Sequence, residues 1–99
     1  MSKSIIPENS EEYCFIHMKY MGTIVRPDHL HHCIHGIANR KIADREGLTV
    51  HLCERCHTAL HDKGYHDLDL QQIAEKAWLD YNNGTIEQFI KLFGKNYLD

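Results

Sequence analysis

The stretch Cys53-Glu54-Arg55-Cys56-His57 contains two cysteines three residues apart, with a histidine directly after the second. Such a Cys-x2-Cys at the start of a helix supplies two thiolates to a tetrahedral zinc ion and needs a second pair of ligands from elsewhere in the chain. Cys14-Phe15-Ile16-His17, about 35 residues upstream, offers that pair. The spacing therefore predicts a structural zinc site whose ligands are Cys14, His17, Cys53 and Cys56.

Two other interpretations of the cysteines compete with this one. Cys33 is a rival to His17 for the fourth ligand position, and the cysteines could instead form two disulfides, as in small secreted domains. Residues 1–10 contain Ile5-Ile6 as their only apolar pair and so lack the apolar segment of a secretory signal. No run approaches the ~18 apolar residues of a membrane span. We therefore expect metal-bound thiolates, a cytoplasmic location and no membrane partner.

The length of 99 residues favours one domain with a modest core. We expect a flexible N-terminal segment over residues 1–12, a zinc-bearing core over 13–66, and a helical extension packed on that core over 67–99. A structural metal would reinforce such a core by binding only the folded state, so loss of zinc should unfold the protein.

Within the core, alternating and turn-forming residues predict short elements. Gly22 is expected to lie in a turn between two strands, and residues 28–35 are expected to be extended or irregular. Residues 36–47 are expected to form a long loop with at most one helical turn. The predicted strands are 13–16, 23–25 and 48–52, and a short helix is predicted from residue 54 to about residue 61.

The C-terminal third has a helical pattern. One helical face is predicted to carry Leu70, Ile73, Ala74, Ala77, Trp78 and Tyr81. Asp69 with Gln72 suggests an N-terminal capping box, and the residues 82–84 end this helix. A second helix opens at Thr85, with Gln88 three residues on, and closes at Gly94. We interpret both helices as packing elements without chemistry.

Charge is distributed unevenly along the chain. The net charge is −3 overall, but residues 17–66 carry +2 and all nine histidines. Any phosphate-facing surface therefore belongs to this central segment, and its affinity should weaken as salt rises.

The spacing of the histidines indicates a second metal site. His57 and His61, four residues apart on the predicted helix, share one face, as two metal ligands would need. His31 and His32 are adjacent on an extended stretch, so their side chains point to opposite sides. One can hold a metal while the other faces water or substrate, as metal-assisted phosphodiester hydrolysis requires.

These residues together match a known family. The stretch Asp28-His29-Leu30-His31-His32, then Gly36, then Leu52-Cys53-x2-Cys56-His57, resembles the HNH endonucleases of the His-Me finger (ββα-metal) superfamily. The similarity extends to small phage-encoded HNH proteins through residues 36–41 and 93–98. It implies an α+β fold: a small, treble-clef-like ββα-metal domain stabilised by zinc, with two C-terminal helices. It further implies a DNA endonuclease, nickases included, acting in a bacterial host cell.

The resemblance also implies roles for single residues. His32 is the implied general base, and His31 and His57 are implied ligands of the catalytic cation. His61 and His66 are rivals for a further ligand position. The cation could be Mg²⁺, Mn²⁺, Ni²⁺ or Zn²⁺. A neighbouring DNA phosphate would be bound by Arg40 or Lys41, with Asn39 as a further candidate.

Two departures from the family pattern leave alternatives open. In one, Cys33 follows the His-His pair, where the family has an apolar residue, and the first knuckle is Cys-x2-His rather than Cys-x2-Cys. The other concerns the middle Asn. Leu48 stands nine residues before His57, where the family has its middle Asn, and Asn39 is the candidate substitute. A second register makes Asp28 the ligand and His29 the base. The alternative function is an inactive HNH-like zinc module that binds nucleic acid or a protein, such as a phage inhibitor of host defence. A double-strand break would need a homodimer or two encounters.

Overall fold

The computed structural model describes residues 3–98; Met1, Ser2 and Asp99 lie outside the described residues. Within this range the chain forms the predicted α+β fold, with one two-stranded antiparallel sheet and four α-helices. The sheet pairs β1 (His29–His32) with β2 (Thr49–Leu52), and His31 lies opposite Val50. The helices are α1 (Ile37–Glu46), α2 (Glu54–Lys63), α3 (Asp67–Asn82) and α4 (Ile86–Phe93), and a π-helical turn (His17–Met21) precedes the sheet. No helix in residues 3–98 is long and apolar enough to cross a membrane.

Strand β2 leads directly into α2, as the sequence predicts. Val50 and Leu52 are fully buried, which explains why this alternating segment forms a strand. Cys53 is extended and caps α2, because its thiol accepts a hydrogen bond from the Cys56 N–H. Gly64, in the left-handed conformation, ends the helix at Lys63, two residues later than expected.

The segment predicted as a long loop, residues 36–47, is instead a helix of ten residues, α1. Its own apolar content is low, and one of its residues, Ala43, is buried. Packing on other elements supplies the missing stabilisation: the Asn39 side chain donates to the carbonyl of Phe93 at the end of α4. Gly47 ends the helix with φ 76°, and a Cβ there would collide with the backbone carbonyl of Lys3. Tertiary contacts therefore override the weak local pattern.

The two strands predicted around Gly22 are also wrong. Residues 13–16 lead into the π-helical turn, and residues 23–25 are irregular. The turn at Gly22 is present, with φ 64°, but a single backbone hydrogen bond from Cys14 N–H to the Val25 carbonyl, 2.7 Å, links the two segments. One such bond does not make a sheet.

The N-terminal segment, predicted to be flexible over 1–12, packs against the core from residue 3 onward. Ile6 is buried, and the Ile5 N–H donates to the Gly47 carbonyl at 2.9 Å. The Asn9 side chain accepts from the His51 N–H of β2 at 2.9 Å. The Asn9 bond satisfies a backbone donor at the outer edge of β2, and the Ile5 bond ties the segment to the end of α1, which explains why the segment is held.

Both C-terminal helices form where the apolar pattern predicts them. Leu70, Ala74 and Trp78 are buried on α3, although Tyr81 is 65% exposed. Helix α4 has the predicted capping box of Thr85 and Gln88. The predicted box at Asp69 is wrong, because the N-cap of α3 is His66, three residues earlier.

Candidate metal centres and cleft

Three segments meet at the cysteine cluster. Cys14 and His17 come from the region of the π-helical turn, Cys53 follows β2, and Cys56 lies in the first turn of α2. The ligand atoms of these four residues all lie within 4.8 Å of one another. Cys56 Sγ is 3.3 Å and Cys53 Sγ 3.6 Å from His17 Nδ1. These distances are close to the ~3.6 Å that separates a sulfur and a nitrogen sharing one tetrahedral zinc. The cluster could therefore hold a metal ion.

The thiols of this cluster resist joint ionisation without a cation. Burial raises the pKa of Cys14, but hydrogen bonds from the backbone of Cys53 and His17 lower it, to about 7 overall. Burial raises the pKa of the Cys56 thiol, and the neighbouring thiols of Cys53 and Cys14 raise it further. One thiolate thus forms readily and disfavours the next, a repulsion that a bound divalent cation would offset.

Cys33, the rival ligand, lies outside this cluster. It is fully buried beyond the end of β1, and its N–H donates to the Leu48 carbonyl at 3.0 Å. Burial raises the pKa of its thiol. All four cysteines are free thiols rather than disulfides. The structure therefore brings His17, and not Cys33, to the fourth position.

A second cluster is formed by three histidines, one on β1 and two on α2. His31 of β1 and His57 and His61 of α2 have ligand atoms within 4.8 Å of one another, and Nε2 of His57 is 3.1 Å from Nε2 of His61. The two α2 residues lie one helical turn apart, as their spacing predicts. Because α2 packs against β1, His57 lies close to His31 although the two are 26 residues apart in sequence.

His31 lacks a partner for one ring nitrogen. It is 2% exposed, and its Nε2 has no hydrogen bond to any of the described residues. Burial, and then the neighbouring imidazoles of His57 and His61, lower the pKa of His31 to about 3. Burial also lowers the pKa of His57. A buried imidazole that stays neutral and has no partner is a suitable metal ligand, since neutral imidazole is the form that binds.

A cleft of about 470 Å³ opens beside this second cluster. Its lining includes His32 of β1, Arg40 of α1, and both histidines of α2. Lys41 is exposed but does not line the cleft, and the amide of Asn39 is bound to the Phe93 carbonyl. Of the three candidate DNA-binding residues, Arg40 is therefore the one that faces the cleft.

The other candidate ligands lie elsewhere. His66 stacks on Tyr20 with ring centroids 4.0 Å apart, and its Nδ1 is 2.7 Å from Asp69 Oδ2. An Asp28 carboxylate oxygen lies 3.4 Å from the Glu54 N–H at the start of α2. Among the described residues, the structure thus brings His61 rather than His66, and His31 rather than Asp28, to the histidine cluster.

His29, the base in the second register, stacks on the His57 ring, with centroids 4.6 Å apart. Leu48, at the position of the family's middle Asn, is fully buried in the core. It therefore presents no polar group to the cleft.

Sequence reasoning missed two carboxylates that contact histidines of the cleft. Asp44 Oδ1 of α1 lies 3.2 Å from His32 Nε2, and both carboxylate oxygens of Asp67, the first residue of α3, lie 3.0 Å from His35 Nε2. The partners are 12 and 32 residues apart, so no local motif indicates either pair.

Comparisons with models of protein families, with curated proteins and with solved structures found no match for this chain. The functional assignment therefore depends on the chemistry of the two clusters and the cleft.

Proposed function

We propose that this chain is a metal-dependent DNA endonuclease of the HNH type, which hydrolyses phosphodiester bonds with a histidine base. In this proposal β1, β2 and α2 form the ββα-metal, treble-clef-like unit, and Cys14, His17, Cys53 and Cys56 hold a structural zinc ion. This proposal is supported by the two paired strands and by the helix that follows them, which begins at the Cys-x2-Cys. Zinc bound by four protein ligands has no open position and serves structure.

The observation that carries the proposal is the unpartnered Nε2 of His31. A buried polar atom without a hydrogen bond is costly, and proteins rarely leave one unless an ion or water completes it. His31 belongs to a cluster whose other two members, His57 and His61, line an open cleft. Three nitrogen ligands beside open space are the arrangement of a catalytic rather than a structural metal site.

A divalent cation held by His31, His57 and His61 would supply Lewis-acid stabilisation of the scissile phosphate and of the departing oxygen. The remaining chemistry belongs to the chain. His32, on the opposite side of β1 from His31, lines the cleft and accepts the proton of the attacking water. The guanidinium of Arg40 pairs with a phosphate next to the scissile one. Both side chains act from rigid elements, which limits the search for a productive geometry.

A catalytically silent zinc module that binds nucleic acid or a protein is the second candidate. Leu48 favours it, because the family's middle Asn orients the base or its loop and Leu48 is buried without a polar group. The net charge of −3 favours, within this candidate, a protein partner over a nucleic-acid partner. This candidate predicts binding without cleavage under every divalent ion.

A supercoiled-plasmid assay separates the two candidates. Wild type, His32→Ala and His51→Ala are treated with EDTA, checked for retained zinc, and supplied separately with Mg²⁺, Mn²⁺, Ni²⁺ or Zn²⁺. His51 is a matched control, because it lies on β2 outside the cleft lining. Conversion to open circle by wild type and His51→Ala alone supports the endonuclease. No conversion with any ion, from folded and zinc-loaded wild type, refutes it.

A further inference from the structure

The imidazole of His32 is in contact with a carboxylate from another element. His32 Nε2 and Asp44 Oδ1 are 3.2 Å apart, and their side chains are 14% and 32% exposed. A partly buried pair of this kind is less screened by water than a surface pair. The contact can therefore hold the ring in one orientation.

Asp44 is itself held in place by the end of α1. The Gly47 N–H donates to the Asp44 carbonyl at 3.3 Å. The Leu48 N–H donates at 2.8 Å to the carbonyl of Ala43, the residue before Asp44. Ala43 is fully buried, so this end of the helix is packed on the core. The carboxylate is thus presented to β1 from a fixed backbone rather than from a mobile loop.

The contact has a chemical consequence for the ring. A carboxylate only accepts hydrogen bonds, so the hydrogen of a neutral His32 must be on Nε2. The lone pair then belongs to Nδ1, which has no hydrogen bond to any of the residues 3–98.

We propose that Asp44 is the positioning residue that orients His32 and leaves Nδ1 as the basic atom. For its catalytic consequence this inference rests on the proposed endonuclease function. Asp44 contacts the base and not the metal cluster. The family's middle Asn has this orienting role, and Leu48 at that position has no polar group. Asp44 would take the role from helix α1. The matching Asp–His pair outside the cleft is Asp69 with His66, 2.7 Å apart, which provides a control of the same chemistry.

The test combines proton NMR with steady-state cleavage on wild type, Asp44→Ala, Asp44→Asn and Asp69→Asn. Ala is the best helix former, so Asp44→Ala is expected to fold, which circular dichroism and zinc content check. In wild type, a proton on His32 Nε2 that is protected from solvent exchange should be seen, and it should disappear in Asp44→Ala but remain in Asp69→Asn. Cleavage by Asp44→Ala should lose about 10- to 100-fold in kcat, as for other supporting carboxylates, with KM unchanged. Asp44→Asn keeps an acceptor oxygen and should recover part of kcat.

The outcomes are separable. If wild type shows no protected Nε2 proton on His32, or if Asp44→Ala cleaves with the kcat of wild type, Asp44 does not position the base. If the Nε2 proton is present in wild type and lost in Asp44→Ala, but wild type does not cleave DNA with any of the divalent ions, the orienting contact stands and the endonuclease function fails. An equal loss of kcat in Asp69→Asn would show that any surface carboxylate has this effect and would overturn the inference.

Discussion

The two candidate metal sites share helix α2 and differ in nearly every other respect. Cys53 and Cys56 at its start belong to a cluster of four ligands, three of them buried thiols. His57 and His61 belong to a cluster of three imidazoles, two of which line a cleft. Two adjacent residues, Cys56 and His57, thus belong to different sites. Ligand type and solvent access, rather than position in sequence, separate a site suited to structure from one suited to chemistry.

The largest effect is expected from exchanging one residue of this adjacent pair. Cys56→Ser removes a thiol from the closed cluster, where the proposed structural zinc would contribute its binding free energy to folding, roughly 10–16 kcal/mol in zinc-finger peptides. We expect Cys56→Ser to lose bound zinc and cooperative thermal unfolding. His57→Ala should keep both, because it belongs to the other cluster. Circular dichroism melts and metal analysis measure this, and equal melting of Cys56→Ser and wild type would contradict it.

The next effect distinguishes the two rival ligands. His61→Ala removes a nitrogen from the open cluster, and the affinity for a second divalent ion should fall by more than the roughly 10–100-fold typical of losing an outer partner. His66→Ala should leave that affinity unchanged, because His66 is stacked on Tyr20 outside the cluster. Calorimetric titration of zinc-loaded protein with Mn²⁺ measures both. A loss of Mn²⁺ affinity in His66→Ala, with none in His61→Ala, would make His66 rather than His61 the ligand.

A smaller effect concerns acid stability. Burial holds the pKa of His31 at about 3, well below its ordinary value of 6.5. Between these values the unfolded chain binds a proton that the folded chain does not, so the free energy of unfolding falls as pH falls through this window. At pH 5.5 this amounts to about 1.4 kcal/mol. Urea unfolding of the zinc-loaded protein at pH 7.5 and 5.5 measures this loss of unfolding free energy. His31→Leu should not show the loss that comes from His31. The same pH dependence in both proteins would exclude a buried neutral His31.

The smallest effect is on DNA binding. Arg40→Ala would remove the phosphate contact that the proposed function gives to Arg40, so the slope of log affinity against log salt should become less negative by about 0.9. Arg45→Ala is the matched control, because Arg45 lies on the same helix but pairs with Glu46 outside the cleft lining. Fluorescence anisotropy with a labelled duplex measures both. An unchanged slope for Arg40→Ala would remove Arg40 from the DNA contact.

Sequence patterns predicted the elements whose signal is local. The Cys-x2-Cys at Cys53 and Cys56 marks the start of α2, and the Thr85 box marks the start of α4. Helix α1 was missed because its stability depends on contacts such as Asn39 with Phe93, 54 residues apart.

The same division holds for the candidate sites. The spacing of His57 and His61 indicates a shared face, whereas nothing near His32 indicates Asp44, because the helix that carries Asp44 was itself predicted as a loop. Contacts between distant segments are fixed by tertiary packing, which a short motif does not encode.

Cobalt substitution tests the contrast between the two sites most directly. Protein freed of zinc is refolded with one and then two equivalents of Co²⁺ while its absorption spectrum is recorded. The first equivalent should give thiolate-to-cobalt bands and intense tetrahedral bands that a dialkyl phosphate does not alter. The second equivalent should give bands without thiolate character that a dialkyl phosphate does shift, since that site has an open position. Saturation at one equivalent, or a second spectrum insensitive to phosphate, would show that the histidine cluster is not an open metal site.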